Sequence, residues 1–218
     1  MWFEQDYFEQ YGSHDRGYVS QRENPSFAKR LHELAILGVV GGRLLDIGCA
    51  YGFFVAMAEH AGYQCYGVDI SLHALSEARK HTQGRLLRLD ASRDPLPFPS
   101  SSFDVVAYLN TLEHLENYHF SVREALRVLS PGGLVLVFVP LRRRWFTDDT
   151  HVNYFTLDSL RFVLERIGFE IVRIGEERGR WSPLFAGLRL LLRADTAFNH
   201  VPKGCGSFLA CYARKPRC

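Results

Sequence analysis

Leu44-Leu45-Asp46-Ile47-Gly48-Cys49-Ala50-Tyr51-Gly52 is an apolar run that stops in a turn of small residues, and helical apolar spacing resumes at Phe53. A strand running through such a turn into a helix lets backbone approach a bound molecule closely, where a misplaced Cβ would collide. A dinucleotide-binding turn reads G-x-G-x-x-G; here Gly48, Ala50 and Phe53 take those places, so the third glycine is missing. Asp46 stands just before the turn, at the carboxyl end of the strand, where open sheets bind their ligands. Its charge repels a pyrophosphate and suits a cationic amine. Asp69, closing Tyr66-Gly67-Val68-Asp69 about 20 residues past the turn, is placed to accept hydrogen bonds from ribose hydroxyls. The pair points to a nucleoside cofactor; the competing reading is a plain turn whose acids cap helices.

Outward from this stretch, β-branched or apolar runs at 43–47, 64–68, 85–89, 103–109, 133–139, 169–174 and 207–213 alternate with helical patterns at 53–61, 72–81, 121–129 and 157–167. The alternation predicts an α/β sheet of seven strands with helices on both faces. Ser71 and Thr156 are placed as N-caps, and Gly168 sits just past a helix end. Pro95, Pro97 and Pro99 make 94–102 a loop. Two segments fall outside the alternation, an aromatic-rich N-terminus over 1–30 and a helical insertion over 179–206, both candidates for a lid on a single domain of 218 residues.

The chain is 47% hydrophobic and 23% charged, which suffices for a packed core and excludes general disorder. A net charge of +2 gives no global attraction to nucleic acid. The apolar runs 134–141 and 188–192 fall short of the roughly 20 residues of a membrane span. With no basic start and apolar stretch at the N-terminus, a cytoplasmic protein is expected. Five cysteines without a C-x-x-C pair read as reduced thiols.

These motifs resemble, over about 43–215, the class I S-adenosylmethionine-dependent methyltransferases of the small-molecule type. In that family an acid-x-G-x-G-x-G turn takes the methionine part of the cofactor, and here Ala50 replaces the middle glycine. The resemblance implies a Rossmann-like, doubly wound sheet, mostly parallel with an antiparallel last strand. It also implies S-adenosyl-L-methionine held first by Asp46, Gly48, Cys49, Ala50 and Gly52. The ribose and adenine then fall to Asp69, Ile70, Asp90 and Ala91, with Leu109 and Asn110 completing the site. The family's turn before its fifth strand matches Leu129-Ser130-Pro131-Gly132-Gly133, and Asp104 is read as structural. For Asp90 taken alone, capping the next helix competes with adenine binding.

Methyl transfer from a sulfonium needs positioning and exclusion of water, and a base only where the acceptor must lose a proton. Asn110-Thr111-Leu112-Glu113-His114-Leu115 follows the fourth strand; His114 is the natural base, with Glu113 to orient it or act itself. Capping of the next helix is the competing reading. In the family, this Leu-Glu-His lines the site, and in some members it takes part in catalysis or metal binding. His151, beside Asp148 and Asp149, is a further catalytic candidate; a solvated loop is the commoner outcome there, and no metal is expected. His60, His73 and His81 read as surface residues.

The family's base-modifying branch carries Pro-Pro-aromatic where this chain has Thr111-Leu112, which argues against a nucleobase acceptor. Arg142-Arg143-Arg144-Trp145 is either an anion clamp or a solvated loop. Tyr7, Tyr11 or Tyr18 faces the sulfonium or simply packs. The stretch 181–193, with Arg189 and Arg193, covers an apolar substrate, touches a membrane surface, or packs as core. The expectation is methyl transfer to an oxygen or nitrogen of a small molecule, such as a glycan or lipid-linked precursor. A catalytically silent binding module and a nicotinamide-dependent oxidoreductase are the alternatives, and oligomeric state is unread.

Overall fold

The computed structural model describes residues 3–10, 18, 22, 24–141, 149–177 and 208–217. These form a seven-stranded sheet built from β1 (Gly42–Ile47), β2 (Tyr63–Asp69), β3 (Arg85–Arg88), β4 (Phe103–Leu109), β5 (Leu129–Pro140), β6 (Glu170–Glu177) and β7 (Phe208–Arg214). The order is β3-β2-β1-β4-β5-β7-β6. The first five strands run parallel, and β7 lies antiparallel to both β5 and β6. The expected doubly wound architecture is therefore observed, and the strand order reverses between β1 and β4, where such sheets open a crevice at their carboxyl ends.

Alternating side chains feed two cores. Leu44, Val105 and Ala107 point to a core shared with α2 (Pro25–Ile36), α3 (Phe53–His60) and α4 (Leu72–Ala78). Leu45, Ile47, Val106 and Tyr108 point to the other, built with α5 (Tyr118–Val128) and α6 (Leu157–Ile167). Thr156 and Ser159 form a reciprocal cap at the start of α6, and Gly168 ends it at φ 115°, as the sequence pattern requires.

Three readings change. Helix α2 was not expected: Asn24 caps it and Pro25 opens it, but Arg30 and Glu33 on its buried face break the apolar stripe. The aromatic segment bounded at residue 30 thus runs on into a body helix. The Pro131-Gly132-Gly133 turn lies inside β5, which starts at Leu129; Gly132 adopts φ 82° and donates its N–H to the Lys215 carbonyl, while the pairing with β4 shifts register. Helix α5 begins three residues earlier than read, capped by Asn117, whose side chain accepts from the Phe120 N–H at 3.2 Å. The insertion 179–206, Arg142 to Trp145, Tyr11 and Asp148 lie outside the described residues. Among the described residues, no helix is long and apolar enough to cross a membrane.

Candidate active site

The turn after β1 is shaped by left-handed backbone at Gly48 (φ 76°), Ala50 (φ 46°) and Gly52 (φ 70°). A Cβ on Gly48 would sit 2.5 Å from the Thr111 side chain, so glycine is required where the β4 edge closes on the turn. Ala50 tolerates its conformation because its N–H is anchored: it donates to Asp69 Oδ2 at 2.8 Å. Asp69 Oδ1 accepts the Ser71 N–H at 2.9 Å. Burial pushes the Asp69 carboxyl up, and these N–H donors oppose the push.

Asp46 is 2% exposed and lines a small cavity with Tyr18, Phe27, Gly48, Cys49 and Leu109. Among the described residues, its Oδ1 has no hydrogen-bond partner. Burial, reinforced by Asp69, raises its carboxyl to about 8. A cationic amine delivered into this cavity supplies what the carboxylate lacks, so the residues present fit the methionine end of S-adenosylmethionine. Burial beside Asp46 and Asp69 also pushes the Tyr18 hydroxyl upward and keeps it neutral.

At the neighbouring strand ends the donors differ. Asp90 Oδ1 accepts the Ser92 N–H at 2.9 Å in a local turn that leads into no helix, so the contact is not the helix cap weighed against adenine binding; Ala91 is buried beside it. The Ile70 carbonyl accepts from Arg88 Nε at 3.1 Å, which ties the β2 end to β3. Asn110 takes φ 52° and donates its N–H to the Phe138 carbonyl at 2.7 Å, turning the chain away from β4.

Leu112–His114 then forms a 3₁₀ turn. His114 Nδ1 lies 3.2 Å from the Thr150 carbonyl and 3.0 Å from its Oγ1. The carbonyl only accepts, which favours a proton on Nδ1 with Nε2 as the basic nitrogen, whereas the hydroxyl can accept from Nδ1–H or donate to a bare Nδ1. The His151 ring stands 4.7 Å from that of His114. The buried Glu113, His114 and His151 each offer one ligand atom within 4.8 Å of the others. The fold thus gathers the three catalytic candidates; His73 is half-buried and 3.0 Å from the Tyr51 hydroxyl, while His60 is exposed.

Helix α1 (Gln5–Gln10) lies across both groups. Phe3 and Tyr7 meet His114 edge-on at 5.4 and 6.3 Å, and Phe8 packs on Tyr51 at 5.0 Å and Tyr18 at 5.3 Å. Sequence reading missed Phe27, hidden in the unexpected α2, and Thr150 and Asn153, which act through backbone contacts that no motif displays.

Residues 45–137 match the family model described as a methyltransferase domain. A demethylmenaquinone methyltransferase of Tropheryma whipplei is 33% identical over 136 residues, 61% of this chain and 54% of that protein. A ubiquinone biosynthesis O-methyltransferase of Bradyrhizobium diazoefficiens is 29% identical over 131 residues, 59% of this chain and 51% of that protein. The chain spans about half the length of these curated relatives. A solved S-adenosylmethionine-dependent methyltransferase from Mesorhizobium loti shares the fold, with a TM-score of 0.63 and 23% identity over 91% of this chain and 100% of that one. The matched segment holds the glycine turn, Asp46, Asp69 and the Glu113-His114 pair, and over it the chain is similar to S-adenosylmethionine-dependent methyltransferases.

Proposed function

We propose that this chain transfers a methyl group from S-adenosylmethionine to an oxygen or nitrogen of a small molecule. The observation that carries the reading is the buried, unpartnered Asp46 oxygen in the glycine-turn cavity, at the same sheet edge as the His114 turn. When bound, the cofactor supplies an electrophilic methyl on a sulfonium. Asp46 holds its amine and Asp69 its ribose hydroxyls, while Leu109 and Tyr18 exclude water. His114 Nε2 takes the proton of a hydroxyl or ammonium acceptor, as Nδ1 is committed to Thr150.

A glycan or lipid-linked precursor is the acceptor class with which a search begins; the relatives named for ubiquinone biosynthesis and demethylmenaquinone support looking among small molecules. A cytoplasmic setting agrees with the free, buried thiols of Cys49, Cys65 and Cys211. A second reading is favoured by the clustered ligand atoms of Glu113, His114 and His151: the acceptor oxygen is activated by a divalent cation instead of by the imidazole.

The test titrates S-adenosylmethionine and, separately, NAD into the purified protein, with Asp46→Asn and Asp69→Ala beside it. Methyl-labelled cofactor is then offered with acceptor panels, with and without chelator. Selective binding lost in both variants, followed by label transfer lost in His114→Ala, is expected. Binding of neither cofactor supports the silent module, and chelator sensitivity supports the cation.

A further inference from the structure

The segment from Thr150 to Asn153 grips the turn that carries His114. The N–H groups of Val152 and Asn153 both donate to the Glu113 carbonyl, at 2.9 and 3.0 Å. The Asn153 side chain donates from Nδ2 to the Leu112 carbonyl at 3.2 Å and to the Leu115 carbonyl at 2.6 Å. Thr150 closes the bracket on His114 Nδ1.

A three-residue 3₁₀ turn has little internal bonding, and its terminal carbonyls need outside donors. One primary amide, with two N–H bonds on a single nitrogen, serves both ends of this turn. Two carbonyls facing one atom also settle which way the amide points.

We propose that Asn153 is a positioning residue for His114, locking its ring as the Nδ1–H tautomer and leaving Nε2 as the working nitrogen. The lock rests on the reading of His114 above and adds a residue to it. It acts at one remove: Asn153 fixes the turn, the turn fixes the ring against the Thr150 carbonyl, and the carbonyl fixes the proton. An imidazole free in water prefers its proton on Nε2, so the lock reverses the intrinsic preference. Asn153→Asp keeps the shape, removes the donor and sets a carboxylate against two carbonyl oxygens, which pushes the bracket apart.

The experiment uses the whole chain labelled with ¹⁵N-histidine, read by long-range ¹H–¹⁵N correlation well above the imidazole titration range, with His114→Gln identifying the signal. Wild type is expected as Nδ1–H, and Asn153→Asp as a mixture shifted toward Nε2–H, with its secondary structure retained by circular dichroism. Should Asn153→Asp not fold, Asn153→Ser, which deletes the amide without adding charge, is read in the same way. A wild-type proton on Nε2, or an unchanged signal in the folded variant, overturns the proposal. No turnover is needed for this readout. Failure of methyl transfer beside an intact Nδ1–H signal counts against the enzyme reading alone, and an Nε2–H signal in an active protein counts against the lock alone.

Discussion

At the scale of single residues, Asp46 carries the clearest pH signature. Its folded value of about 8 lies above the roughly 3.9 of an unfolded aspartate. Between the two, the folded chain holds a proton that the unfolded chain lacks, so stability falls as pH rises through this window, by up to about 1.4 kcal/mol per pH unit. Asp46→Asn removes the titration, and denaturant unfolding from about pH 5 to about pH 9 should show the variant gaining on wild type toward the alkaline end. A slope unchanged by the substitution sinks the assignment. Cofactor binding near neutral pH should expel the Asp46 proton, seen as binding heats that vary with the ionisation enthalpy of the buffer and lose that variation in Asp46→Asn. Ala50 offers a second case. Its left-handed φ of 46° costs a side-chain-bearing residue about 1–2 kcal/mol, so Ala50→Gly should stabilise the apo chain by roughly 0.5–1 kcal/mol once about 0.4–1 kcal/mol for the greater unfolded-state freedom of glycine is deducted. Calorimetric melting checks it; a lowered melting point argues that the methyl packs better than it strains.

At the scale of elements, α2 is pinned by charge. Arg30 is fully buried, pairs with Glu177 at 2.7 Å and with Glu33 at 3.4 Å, and stacks 4.8 Å over the Phe138 ring, while the Tyr212 hydroxyl donates to Glu33. Arg30→Met leaves the buried Glu33 with Tyr212 and a distant Lys29, and the half-buried Glu177 with Lys29 alone, and should cost about 3 kcal/mol in urea unfolding, most of it recovered when Glu33→Gln and Glu177→Gln are added. Equal losses in the single and triple variants would show packing, not charge, to be responsible. This network also explains what could be read in advance. Strands β1 and β2 were legible because their apolar runs end at a glycine turn and at an acid, and α6 because caps and stripe agree. Helix α2 was not, since partners for Arg30 and Glu33 arrive from β6 and β7, far along the chain. Likewise Asp46, Gly48 and Asp69 were legible from spacing, whereas Asn153 works through distant carbonyls whose positions only folding creates.

At the scale of the whole molecule, the strand reversal between β1 and β4 brings the glycine turn and the His114 turn to one rim, and α1 spans both. Removing the Phe8 ring should weaken that span more than it harms the fold, because its contacts with Tyr51 and Tyr18 join α1 to the turn. Two aromatic pairs at about 0.5–1.5 kcal/mol each predict dissociation of S-adenosylmethionine roughly tenfold faster in Phe8→Ala, measured by stopped-flow displacement. An unchanged rate would free α1 of any part in retention. Tyr7 faces the histidine and Phe8, the next residue, faces the cofactor turn, so the two cannot part by more than one residue's reach. On the proposed function, this shared element predicts that methylated product and spent cofactor are released together, following one exponential with a common rate constant.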